Sequence, residues 1–127
     1  MLDTDHVSYW LRGVGHMNQK LLRHRRSEIS ISAITLAELR YGANQRNSAK
    51  LHSLIDNFIG DVAVLPFDHE CAGRYADLAN ALARKGSPIG EFDTLIAAHA
   101  IALDLTLVTN NVKHFRRVRG LKLENWI

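Results

Sequence analysis

Residues 92–103, FDTLIAAHAIAL, restrict this chain more than any other segment. Drawn as a helix, they are apolar nearly all round, so that helix has to be buried rather than laid on a surface. The run is far too short to span a bilayer, which leaves a protein interior as its place. The flanking sequence says what kind of interior. Four short stretches read as strands: residues 1–3, residues 28–32 with β-branched Ile29 and Ile31, residues 62–65 stopped by Pro66, and residues 105–109 with Leu107 and Val108. Helical spacing fills the gaps. It runs over 35–43 (Leu36, Leu39, Ala43), 48–59 (Leu51, Leu54, Ile55, Phe58, Ile59) and 68–85 (Ala72, Tyr75, Ala76, Ala79, Leu82, Ala83). Asp68 suits the N-cap of the last of these, and Gly86 follows its end. A further helix starts near His6. Strands alternating with helices predict an α/β sandwich around a parallel sheet.

The 127 residues fit one domain, 1–127, large enough to bury about two-thirds of the unfolded surface. No repeat, linker or low-complexity segment interrupts it, and Pro66 and Pro88 mark element boundaries. A hydrophobic content of 46% and a charged content of 23% exclude a disordered chain. Cys71 is the single cysteine, so no intrachain disulfide forms. Beside Ala72 and Ala76 it suits a buried structural thiol. The N-terminus carries no charged leader followed by an apolar run, which predicts a cytoplasmic protein without a membrane partner. The net charge is +3, and basic residues gather as Arg23, Arg25 and Arg26 around His24, then Lys113, Arg116, Arg117 and Arg119 around His114. Such clusters suit a polyanion, and serve equally as ordinary solvated faces.

Ligands of parallel α/β sheets bind beyond the carboxyl ends of the strands, and acids collect there. Asp3 and Asp5 end the first strand, Glu38 lies about one turn into the helix after the second, and Asp93 opens the buried helix. Asn110 and Asn111 follow the fourth strand, with Thr4 and Thr109 as hydroxyl neighbours. Each acid has a plain structural alternative. Asp3 or Asp5 can cap a helix, Asp93 can complement a helix dipole, and Glu38 can face solvent beside Arg40. Together they are costly unless something positive compensates. A hard divalent cation does so. Mg²⁺ takes one or two carboxylates plus waters and phosphate oxygens, and assists in-line attack on a phosphodiester. Glu91, two residues before Asp93, can join the cluster or face solvent. His99 reads as a packing histidine, and His6 lies nearer the acids.

The ordered pieces Leu2-Asp3-Thr4-Asp5, Ser32 to Gly42 (SAITLAELRYG), Gly86 to Ala100 (GSPIGEFDTLIAAHA) and Leu107 to Asn111 (LVTNN), closing with Phe115 and Gly120-Leu121 to Trp126, resemble the PIN-domain ribonucleases. Among these they look most like the VapC-type toxins of toxin–antitoxin pairs. The resemblance covers nearly the whole chain. It implies a three-layer α/β/α sandwich with a four- or five-stranded parallel sheet, and a Mg²⁺- or Mn²⁺-dependent endoribonuclease whose core acids are Asp3, Glu38 and Asp93. It also implies a homodimer inhibited by a VapB-type antitoxin whose C-terminal segment lies across the active site. The Pro-Ile-Gly-x-Phe-Asp form is similar to enteric toxins that cut initiator tRNA in the anticodon stem-loop.

In this scheme Asp3 and Asp93 hold the ion and Glu38 positions or deprotonates a water. Thr109 and Asn111 orient water or phosphate, and the two arginine clusters guide RNA through its phosphates. Two departures bear on it. Asp5 stands where the family usually has Asn, and Asn111 (or Asn110) where many relatives have a fourth acid, which implies one well-held ion. Two rival classes are a haloacid dehalogenase-type phosphatase with Asp3 as nucleophile and a non-catalytic RNA- or protein-binding module. The first is disfavoured by the short chain and the lack of an acid pair in 105–111, the second by the retained acids.

Overall fold

The computed structural model describes residues 1–13, 19 and 23–126. In chain order they form α1 (Thr4–Leu11), a 3₁₀ turn (Arg26–Glu28), β1 (Ser30–Ser32), α2 (Ala33–Gln45), α3 (Ala49–Ile59), β2 (Ala63–Leu65), α4 (His69–Arg84), α5 (Glu91–Ala102), β3 (Leu107–Val108), α6 (Val112–Phe115) and β4 (Leu123–Glu124). β1 pairs with β2 and β3 with β4, both parallel. The very short first strand is a single residue. Leu2 bridges Ile31 on one side and Val108 on the other, again in parallel. Its N–H donates to the Ser30 carbonyl (2.8 Å), while the Asp3 N–H donates to the Val108 carbonyl (3.0 Å) and Val108 N–H to the Met1 carbonyl (2.8 Å). One residue thus joins two ladders, and its successor, Asp3, is set at the carboxyl edge.

Side chains alternate across a sheet, and the core divides accordingly. Met1 and Leu107 pack with Leu82, Ile96, Ala97, Ala100 and Phe115. Their neighbours Leu2 and Val108 pack with Val7, Ile31, Leu39, Ile55 and Phe58. Helices therefore cover both faces, as a three-layer sandwich requires. α5 is buried from Ile96 to Ala100, but the ends of its apolar run emerge: Phe92 and Leu103 are exposed.

Ser32 caps α2, its Oγ accepting from the Ile34 N–H at 3.0 Å. The helix thus begins at Ala33, earlier than its apolar spacing indicates. Asp68 caps α4 through the Cys71 N–H (3.1 Å), and Gly86 supplies the left-handed φ of +66° after that helix. Cys71 is buried, as its helical setting predicts. The strand read over 105–109 pairs only at Leu107 and Val108, and α6 and β4 are additions that local patterning does not announce. No helix among the described residues is long and apolar enough to cross a membrane.

Candidate active site

Asp3 follows Leu2 directly and is 5% exposed. Its Oδ1 accepts from the His6 N–H at 2.8 Å, so it does cap α1. The cap occupies one oxygen and leaves Oδ2 for other work. His6 Nδ1 lies 3.3 Å from the same Oδ1, close to it but not aligned as a hydrogen bond. The Trp126 N–H donates to His6 Nε2 at 3.3 Å. Nε2 is therefore an acceptor, and the neutral ring carries its proton on Nδ1, toward Asp3.

Glu38 lies in α2 with Oε1 accepting from Thr4 Oγ1 at 2.7 Å. Thr35 Oγ1 stands 3.2 Å from the same hydroxyl, so the threonine that holds this carboxylate is itself held by a second one. Arg40, its neighbour in sequence, turns away to Asp56 (2.5 Å).

Asp93 is in the first turn of α5, where the helix dipole favours an acid. Its Oδ2 is 3.1 Å from His114 Nε2, which also lies 2.7 Å from the Ile89 carbonyl. A carbonyl only accepts, so Nε2 carries the proton and offers it to both oxygens. His114, on α6, is a member of the site that sequence reading did not assign. Twenty-one residues separate it from Asp93, and only folding brings them together.

The acids sense one another. Burial first, then repulsion from Asp93, Asp5 and Asp3, raises the Glu38 carboxyl above its ordinary value, against the hydrogen bond from Thr4. Asp93 is likewise raised, chiefly by burial and then by Asp3 and Asp5, with His114 opposing. Asp5 is raised by burial and by Asp3. These are like charges crowded at one edge, offset only in part by Arg12 and His6 at Asp5 and by His114 at Asp93, and a hard metal ion relieves such crowding. Among the described residues no three His, Cys, Asp or Glu side chains make a ready-made cage. An all-oxygen donor set of that openness fits Mg²⁺, which keeps several waters beside one or two carboxylates. Asp3 and Asp93 are the acids here that could hold it.

The other expected residues divide. Thr109 is buried and its Oγ1 accepts from the Asn111 N–H (3.0 Å), just beyond the carbonyl that receives Asp3 N–H. Asn110 is taken by Asn125, Nδ2 to Oδ1 at 3.2 Å, while Asn111 is exposed. Glu91 is exposed and makes no bond to the cluster. His99 is fully buried with Nδ1 2.7 Å from Ser32 Oγ, the packing role read from sequence. Arg23 and Arg25 are exposed, and Arg26 is engaged by Asp61. Lys113 and Arg116 are exposed. Arg117 and Arg119 share a recess of about 230 Å³ with Arg74 and Lys85. Two further cations, Arg12 and Arg46, line a recess with Thr4 and Glu38, and the sequence clusters miss them because each stands alone in the chain.

A parallel α/β sandwich with acids crowded at its carboxyl edge defines a class, and the chain matches the PIN-domain family over residues 1–121 and belongs to it. Within that family it is homologous to the VapC ribonucleases. It is 40% identical to Ribonuclease VapC2 of Rickettsia felis over 129 residues, covering 99% of this chain and 96% of the relative. It is 34% identical to the tRNA(fMet)-specific endonuclease VapC of Salmonella typhimurium over 127 residues, with the same coverage. The DNA-bound VapBC crystal structure from Salmonella typhimurium contains a chain that superposes with a TM-score of 0.94 at 33% identity, over 100% of this chain and 97% of that one. The phosphatase alternative falls with this family assignment.

Proposed function

We propose that this chain is a metal-dependent endoribonuclease that cuts initiator tRNA in its anticodon stem-loop, works as a cytoplasmic homodimer and is silenced by a VapB-type antitoxin. The observation that carries the reading is the gathering of buried Asp3 and half-buried Glu38 and Asp93 at the carboxyl edge of the sheet. Relatives supply the substrate and partner: one is named for tRNA(fMet), and a matching chain was crystallised as a VapBC complex.

Mg²⁺ or Mn²⁺, when bound, polarises the scissile phosphate and the attacking water. The residues do the rest. Asp3 and Asp93 would hold the ion, and it would register the phosphate beside them. Glu38, with Oε1 held by Thr4, takes the proton of the attacking water on Oε2, and a carboxyl raised above its usual range suits a general base. His114 keeps Asp93 turned inward by its shared proton. Thr109 fixes the turn that presents Asn111 to water or phosphate. The basic side chains draw in the RNA backbone.

The test is incubation of the purified protein with total tRNA and Mg²⁺ or Mn²⁺, followed by end mapping. The expected product is one cut in the anticodon stem-loop of initiator tRNA, abolished by a chelator and by the antitoxin. Absence of cleavage of any RNA with either ion contradicts the proposal.

A further inference from the structure

Glu38 faces two recesses. One, of about 290 Å³, lies between α1 and α2 and includes Thr4, Arg12, Gln45 and Arg46. The other, of about 580 Å³, is lined by Ala37, Glu38, Tyr41 and Phe92. Tyr41 is 64% and Phe92 53% exposed; among the described residues only Leu103 joins them as an exposed large apolar side chain. Leaving two aromatic rings in water beside an acid cluster forgoes burial that a folded chain ordinarily takes. The rings are also placed rather than loose. Gln45, one turn along α2, donates from Nε2 to the Tyr41 hydroxyl at 3.0 Å. Phe92 sits one residue before Asp93 in the first turn of α5, and small Ala37 leaves space between the two helices.

The size of the patch decides what it accommodates. An aromatic side chain offers about 150–250 Å², so two rings fall well short of the roughly 800 Å² per partner of a stable protein interface. A single nucleobase needs only a ring face. The surroundings have the charge that an RNA strand demands. Across Glu38 from the rings, Arg46 makes no ion pair among the described residues, and Arg12 packs over Tyr9 (5.4 Å) with its Nε on the Ser8 carbonyl (3.3 Å), its charge partly offset by Asp5.

We propose that Tyr41 and Phe92 form a stacking slot for one unpaired nucleobase of RNA beside the bond that is cut, while the neighbouring backbone crosses Arg12 and Arg46. The proposal rests on the ribonuclease reading and deepens it. A base inserted there has left its stack and its pairing partner, so the slot selects loops and single strands over duplexes. Ring faces accept any base, so this subsite tolerates sequence, and sequence preference arises elsewhere.

The experiment is steady-state cleavage of a short single-stranded RNA with Mg²⁺ by the full chain, repeated with one abasic nucleotide at each position flanking the cut. Tyr41→Ala and Phe92→Ala are expected to raise KM by about 5- to 150-fold, the equivalent of one stacked base, with a much smaller change in kcat. Tyr41→Phe and Phe92→Tyr restore the wild-type KM. One abasic position raises the wild-type KM by a similar factor and adds nothing further in the alanine variants. An active enzyme whose KM is the same for base and abasic substrates at every position overturns the slot while leaving the ribonuclease reading intact. So do alanine variants that cut normally but lose self-association or antitoxin capture, which assigns the rings to a protein partner. A wild type that cuts no RNA with either ion overturns both.

Discussion

At the carboxyl edge of the sheet, Glu38 and Asp93 are half-buried beside other carboxylates, and both are pushed above their ordinary ionisation range. One layer away, where α4 and α5 pack, polar side chains serve the fold through caps and packing, although His99 Nε2 is left without a hydrogen-bond partner among the described residues. Ser32 Oγ serves the Ile34 N–H and His99 Nδ1, Phe67 stands edge-on to the His99 ring, and Asp68 caps α4. The interior spends its polar groups on stability, whereas the edge holds like charges together against stability. On the proposed reading the edge does the chemistry and the interior is scaffold, and substitutions in the two regions are expected to separate activity from folding.

Asp3→Asn and Glu38→Gln should lower RNA cleavage by several orders of magnitude with the circular dichroism spectrum unchanged; unfolding of both variants would erase the contrast. Phe58→Ala, a fully buried ring, should do the opposite. It is expected to cost about 3–5 kcal/mol in a denaturant melt, with cleavage per folded molecule retained. His114→Ala tests the border between the regions: cleavage should fall by about 10- to 100-fold with a small change in melting, and His114→Gln should recover part of the loss by restoring an N–H toward Asp93. Ser32→Ala removes a cap and the His99 partner together, and should cost about 1–2 kcal/mol by denaturant titration.

The pH dependence of the metal-free protein is the finest test, because the two regions oppose each other. Burial holds the His99 imidazole below its usual 6.5. As pH falls through 6.5 the unfolded chain binds a proton that the folded chain lacks, and stability drops. Glu38 and Asp93 are raised, so on acidification the folded chain binds protons first, and stability rises until the unfolded values of 4.5 and 3.8 are passed. Denaturant titrations from pH 7.5 to 5 should show Asp93→Asn losing part of the acid-side gain and keeping the His99 loss.

The sequence announced elements whose reasons are local. The apolar run of α5, the Asp68 cap and the Gly86 stop are each decided within a few residues. β4 is two residues long, and the Leu123–Glu124 backbone becomes a strand only because β3 is there to pair with it. Leu2 counts as sheet because Ile31 and Val108 flank it. The same division holds in the site. That the three acids lie near one another was legible from their positions after strands and from an ordered motif. His114 was read only as part of a basic cluster, since nothing in its neighbourhood reports Asp93. Phe92 read as part of the apolar run of α5 and Tyr41 only as a member of an ordered motif, and their exposure in the fold is what distinguishes them.

The central claim is that Asp3, Glu38 and Asp93 hold a divalent ion for RNA cleavage. Melting of wild type and Asp93→Asn at pH 7.5, with and without Mg²⁺ or Mn²⁺, tests it most directly, with cleavage followed in the same samples. The account predicts that Asp93→Asn melts higher than wild type in chelator, because a repelling charge is gone. It also predicts that the ion raises the melting temperature of wild type alone and switches on cleavage in wild type alone. Equal ion-induced shifts in the two proteins, together with cleavage by Asp93→Asn, would contradict it.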